Sequence, residues 1–137
     1  DNFESSELYL TAIGSSIESG DEGLVGRGNR AHGLIAVGRP MSMEGASGKN
    51  PVYHIGKLYS IASFRIANSI FVEMGLPCEV YLVSQSGRDL LDPWKIFVKI
   101  RSKGHYSEQR VREIIEEGIS AIPTITEELL KGEITLW

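Results

Sequence analysis

Between positions 50 and 77 the apolar residues fall into a spacing that a long amphipathic helix satisfies and a strand does not. Val52, Ile55, Leu58, Tyr59, Ala62, Ile66, Ile70 and Met74 recur at steps of three and four, which places them on one face of a helix and calls for a surface to bury it. Asn50-Pro51 supplies a start: asparagine can cap a first turn, and proline is favoured at the first helical position, where its missing N–H costs nothing. Gly75-Leu76-Pro77 ends the pattern. Along this helix Ile61, Phe64, Ile66, Ile70 and Phe71 are expected to be core.

The remaining periodic segments supply what that face packs against. Residues 8–13 (Leu-Tyr-Leu-Thr-Ala-Ile), 79–84 and 94–101 mix β-branched, aromatic and polar residues in the manner of strands. Ser86-Gly87-Arg88-Asp89, ending at Pro93, has turn chemistry and makes an antiparallel return between the second and third strands. Ser107 is expected to cap a helix carrying Val111, Ile114, Ile115, Ile119 and Ile122, with Arg110 where a capping box has Glu or Gln. Pro123 opens a second short helix with Leu129 and Leu130, and residues 133–137 read as an edge strand. The order predicts an α+β fold, a split β-α-β two-layer sandwich with a mixed or antiparallel sheet and helices on one face. The other face would stay apolar, which implies a partner surface.

Composition narrows the function classes. With 137 residues, 42% hydrophobic and 23% charged, the chain matches one domain spanning 1–137. Cys78 is the sole cysteine, so no internal disulfide can form; it reads as a small core residue in a reducing, cytoplasmic setting. A net charge of −4 argues against a general nucleic-acid binder, and no apolar run approaches membrane-spanning length. The polar start Asp1-Asn2-Phe3-Glu4-Ser5-Ser6-Glu7 reads as a boundary or linker, as a piece of a longer protein would have.

The chemistry concentrates in residues 14–48, a glycine-rich loop holding nine of the fifteen glycines. Long irregular loops of this kind are usually functional or disordered; this one reads as a binding loop. In Gly20-Asp21-Glu22-Gly23-Leu24-Val25-Gly26-Arg27-Gly28-Asn29-Arg30 the glycines let backbone N–H groups approach a ligand, while Arg27 and Arg30 carry permanent charge in a planar fork suited to phosphate oxygens. An ordinary surface loop can look the same. Further on, Ser47-Gly48-Lys49-Asn50-Pro51 delivers Lys49 to a helix N-terminus, where the macrodipole favours an anion. Gly45 and Gly48 are separated by two residues, not four, so this is not a Walker A loop and a P-loop phosphotransferase is disfavoured. His32, His54 and His105 show no ligand spacing and read as polar packing or exposed residues, and no Ser-His-Asp set, HExxH or CxxC pair is present. No metal ligand is assigned.

In combination the two loops are specific. Gly20-Asp21-Glu22-Gly23-Leu24-Val25-Gly26-Arg27 about twenty residues before Ser47-Gly48-Lys49-Asn50-Pro51 resembles the pattern of S-adenosylmethionine synthetases. Arg39-Pro40-Met41-Ser42-Met43-Glu44, His54, Gly56-Lys57 and the ending Lys131-Gly132-Glu133-Ile134-Thr135-Leu136 are similar to the archaeal branch, so the resemblance covers nearly the whole chain from Tyr9 onward.

The resemblance implies the C-terminal domain of a synthetase that forms S-adenosylmethionine from ATP and L-methionine, releasing phosphate and diphosphate, assisted by Mg²⁺ and K⁺. It implies Asp21 and Lys49 in catalysis and Arg27, Arg30, Lys49, Gly20, Gly23, Gly26 and Gly48 around the triphosphate. It further implies a homodimer and an N-terminal part of the same enzyme that completes the site, without which this portion is expected to be inactive. The competing reading is a non-catalytic domain that binds nucleotide or polyphosphate, or only oligomerises.

Overall fold

The computed structural model describes residues 49–134, together with Ala31, Val37, Gly38 and Ala46. The expected strand over 8–13, nearly all of the loop over 14–48 and the last three residues of the expected edge strand lie outside the described residues; Glu133 and Ile134, its first two, are not in a strand. Five elements follow one another: α1 (Ile55–Met74), β1 (Cys78–Val83), β2 (Lys95–Ile100), α2 (Glu108–Ser120) and α3 (Ile122–Lys131).

The two strands form an antiparallel hairpin in which Cys78 faces Ile100, Val80 faces Val98, Tyr81 faces Phe97 and Val83 faces Lys95. Because side chains alternate along a strand, Cys78, Val80 and Leu82, with Val98 and Ile100 opposite, turn inward and pack on the core. Glu79, Tyr81, Val83, Lys95, Phe97 and Lys99 turn outward. The connecting segment is held by its own turn chemistry: the Leu91 N–H donates to Asp89 Oδ1 at 2.7 Å, Arg88 pairs with Asp92, and Gly87 takes a positive φ of 85°. It is also tied to α1, since the Tyr59 hydroxyl donates to the Leu90 carbonyl at 2.9 Å.

The helices lie on one face of the hairpin. α1 packs against β1, and α2 and α3 pack against α1, which makes α1 the centre of the fold. Leu58, Ala62, Ile66 and Ile70, spaced four apart, are at most 1% exposed, and Val111, Ile114, Ile119, Ile122 and Ile125 meet them from α2 and α3. Shortening such a residue, as in Ile66→Ala, should cost about 2–5 kcal/mol.

The structure corrects two expectations. Phe64 and Phe71 are half-exposed, not core; they lie seven apart on a stripe of α1 rotated away from the Leu58–Ile70 row, and the neighbouring elements do not reach it. The start of the helix also differs. Asn50 caps a preceding turn: its Oδ1 accepts the Val52 N–H at 2.8 Å and its carbonyl accepts the His54 N–H at 3.2 Å. The helix itself starts at Ile55 with His54 as its cap in an extended conformation, leaving Val52 and Tyr53 exposed on the turn.

Elsewhere the ends are set as the local sequence predicts. Gly75 ends α1 in the left-handed region at φ 66°, its N–H donating to the Phe71 carbonyl. Ser107 Oγ accepts the Arg110 N–H at 3.2 Å, and Pro123 stands in the first turn of α3. Arg110, unable to complete a capping box, instead reaches Glu73 at the end of α1 and also bonds Glu113 on its own helix. Both carboxyls are held below the usual range by the Arg110 hydrogen bonds. Cys78 packs against the core half-buried, its thiol donating weakly to the Ala67 carbonyl and pushed up by burial.

Candidate functional site

The chemistry-bearing residues within the described part converge in sequence on the N-terminal end of α1. Lys49 is half-buried on the approach. The Asn50 turn then reverses the chain and delivers His54, whose two acceptors serve three backbone donors. Its Nδ1 accepts the Gly56 N–H at 3.1 Å, and its carbonyl accepts the Lys57 and Leu58 N–H groups, each at 3.1 Å. A ring nitrogen that accepts carries no proton, so neutral His54 holds its proton on Nε2. His54 therefore has a structural task, in keeping with its reading as polar packing. His105 is exposed on the turn before α2.

Lys57 follows on the first turn. It is 8% exposed, the one charged residue among the described residues that is buried, and burial alone pushes its ammonium below the ordinary lysine value. The carboxylates with ion pairs among the described residues, namely Glu73, Glu79, Asp92, Glu113, Glu117 and Glu128, all pair with other cations. The first turn of α1 holds no acidic residue.

Of the residues expected to make the site, Lys49 is the one within the described part. Asp21, Arg27, Arg30, Gly20, Gly23, Gly26 and Gly48 lie outside the described residues, as does His32. The feature that sequence reading missed is the burial of Lys57. A signal was present: Lys57 stands four residues before Ile61, itself 4% exposed, which puts the lysine on the edge of the buried face.

Among the described residues no three His, Cys, Asp or Glu side chains converge as a metal site would need, and no helix is long and apolar enough to cross a membrane. The open depression at the hairpin, lined by Tyr81, Val83, Ile96, Phe97, Val98 and Lys99, holds one charged group and no acid–base pair. It has the character of a contact surface.

Fold and site together define an α+β domain with cations led into the start of its central helix, the kind of position at which proteins hold anions. Comparison with known proteins makes this specific. The profile of the S-adenosylmethionine synthetase (AdoMet synthetase) family matches residues 1–133, and the chain belongs to that family. Its relatives include the S-adenosylmethionine synthases of Archaeoglobus fulgidus, 42% identical over 98% of this chain and 35% of the relative, and of Pyrobaculum calidifontis, 44% identical over 95% and 34%. The corresponding enzyme of Methanocaldococcus jannaschii is 41% identical over 98% of this chain and 34% of its own length. The chain thus spans about a third of the length of the relatives it matches.

Proposed function

We propose that this chain is the C-terminal portion of a methionine adenosyltransferase and that it supplies cationic contacts to the triphosphate of ATP. In the reaction the sulfur of L-methionine attacks C5′ of ATP; the S–C bond forms as the C5′–O bond breaks, and tripolyphosphate departs with the bonding electrons. Water then cleaves the tripolyphosphate to phosphate and diphosphate. A leaving group with several negative charges needs positive groups positioned before the bond breaks. Lys49, Arg27 and Arg30 would meet that need, with the glycines Gly20, Gly23, Gly26 and Gly48 suited to close backbone approach, and Asp21 is assigned a role toward methionine and the nucleoside. The observation that carries the reading is the family match over residues 1–133, which contains both loop motifs.

Mg²⁺ and K⁺ belong to the same reading. The described residues provide lysines at this end of α1 and no converging oxygen ligands, so no ligand in this region is assigned to either ion and no step is drawn through them. The remaining partners are an N-terminal part of the same enzyme and a second subunit, in the cytoplasm. The exposed Tyr81 and Phe97 on the outer hairpin face support a surface that another part of the enzyme covers.

The test is turnover of the complete enzyme. Lys49→Ala is expected to lower kcat at least about a hundredfold, the scale of losing one charge-stabilising group, and Asp21→Ala to weaken methionine binding as well as turnover. Turnover unchanged by Lys49→Ala would contradict the proposal, and unchanged methionine affinity and rate in Asp21→Ala would remove that residue from the site.

A further inference from the structure

The Tyr59 hydroxyl makes a contact that the chemistry described so far does not use. Tyr59 is the fifth residue of α1 and is 5% exposed. Its hydroxyl donates to the Leu90 carbonyl at 2.9 Å, across 31 positions of sequence. A buried tyrosine usually finds some partner for its hydroxyl; the consequence here comes from which partner it is. Leu90 belongs to the connection between β1 and β2, and four residues of helix rise about 6 Å. The bond therefore brings the connection to within about one turn of the N-terminal end of α1, the end to which Lys49 is led.

The connection is shaped by its own hydrogen bonds. The Arg88 N–H donates to the Gln85 carbonyl at 3.0 Å, the Asp92 N–H to the Asp89 carbonyl at 3.1 Å and the Leu91 N–H to Asp89 Oδ1 at 2.7 Å, while the Arg88 side chain bonds Asp92. These bonds give the segment a form, and the Tyr59 bond fixes that form to the helix. The phenol is suited to the task. Burial first, and then the nearby Asp92 and Asp89 carboxylates, raise it above the ordinary tyrosine value, so it keeps its proton and goes on donating across the neutral range.

We propose that Tyr59 is a positioning residue for the reaction: its hydroxyl fixes the β1–β2 connection as a preformed wall beside the N-terminal end of α1, so that ATP meets an ordered rim. This rests on the reading of Lys49 as a triphosphate contact, which places ATP at that end. Tyr59 acts through the connection and not on the reacting atoms. A segment already ordered in the free protein need not be ordered when substrate arrives, whereas a loosened one adds its ordering entropy to the binding step. Loss of the hydroxyl thus weakens the substrate complex and the transition state alike, which raises KM and leaves kcat where it was.

The experiment compares wild type with Tyr59→Phe, which keeps the ring in the core and removes only the donor. In the complete enzyme, Tyr59→Phe should raise KM for ATP about three- to tenfold, the range of one lost hydrogen bond, with kcat unchanged. In the 137-residue chain, amide hydrogen exchange should quicken over residues 84–93 and keep the wild-type rate in the middle of α1. A purely structural hydroxyl would quicken exchange throughout the fold and leave KM alone, and that pattern would overturn the inference. So would a wild-type KM with residues 84–93 loosened, unchanged exchange over 84–93, or a fall in kcat of about tenfold or more, which would put Tyr59 in the chemical step. Lys49→Ala is assayed beside it: wild-type turnover in that variant would remove the reading on which the inference rests, whatever Tyr59→Phe shows.

Discussion

Lys57, buried on the first turn of α1, makes a prediction for stability. Replacing it with Met keeps the stem and removes a charge from the positive end of α1, so Lys57→Met should unfold in urea at the wild-type midpoint or above it, with a gain of about 0.3–1 kcal/mol at neutral pH. The folded value of this group is lowered by burial, so at pH below it both states carry the charge and the penalty stands in full. As pH rises between the folded and unfolded values the penalty lifts, and the difference between Lys57→Met and wild type should shrink in the alkaline range. A destabilised Lys57→Met would mean that the ammonium has a resident partner. Sequence reading marked Lys49, whose motif is contiguous, and quoted Lys57 only within the archaeal resemblance, because a lysine's burial is decided by what packs over it.

At the scale of elements, the contact between α1 and α2 is set by one glycine and one arginine. A Cβ on Gly118 would lie 2.3 Å from Cγ1 of Ile66, a side chain 1% exposed in the middle of the core. Gly118→Ala should therefore force the helices apart and cost about 1–3 kcal/mol in denaturant unfolding, although alanine is the better helix former. Ser107→Ala, which removes the side-chain acceptor of the Arg110 N–H, should cost about 1 kcal/mol. Arg110 joins Glu73 of α1 to Glu113 of α2, and both carboxyls titrate below their usual range. Their contribution is complete above the ordinary carboxylate value and is lost as pH falls through the lowered folded values. The wild type should thus lose stability on acidification more steeply than Arg110→Met, and parallel acid transitions would contradict the linkage. The bodies of these helices and both strands were legible because their periodicities and stop signals are local. The start of α1 was not: Asn50 and Pro51 have the chemistry of a helix start but spend it on a turn, and His54 caps instead by accepting the Gly56, Lys57 and Leu58 N–H groups. Phe64 and Phe71 misled for a related reason, since hydrophobicity marks them as core while the packing of β1, α2 and α3 covers only the Leu58–Ile70 row and its flanks.

At the scale of the whole molecule, the hairpin's inner face completes the core while its outer face presents Tyr81 and Phe97 beside the Glu79–Arg101 pair, and Lys49 and Lys57 stand at the N-terminal end of α1. That division, a surface for contact and a helix start for an anion, is what a third of a larger enzyme would need in order to share a site with the rest. The α+β class and the helices on one face were readable from the order of elements. The grouping of Asp21, Arg27 and Arg30 with Lys49 rests on the motif resemblance alone, since the first three lie outside the described residues. The central claim is that this chain holds a working share of a polyphosphate grip, and calorimetric titration of the 137-residue chain with tripolyphosphate in the presence of Mg²⁺, repeated on Arg27→Ala and Lys49→Ala, tests it most directly. The account predicts saturable binding that each substitution weakens at least about tenfold; no binding by the wild type, or binding that neither substitution alters, would contradict it.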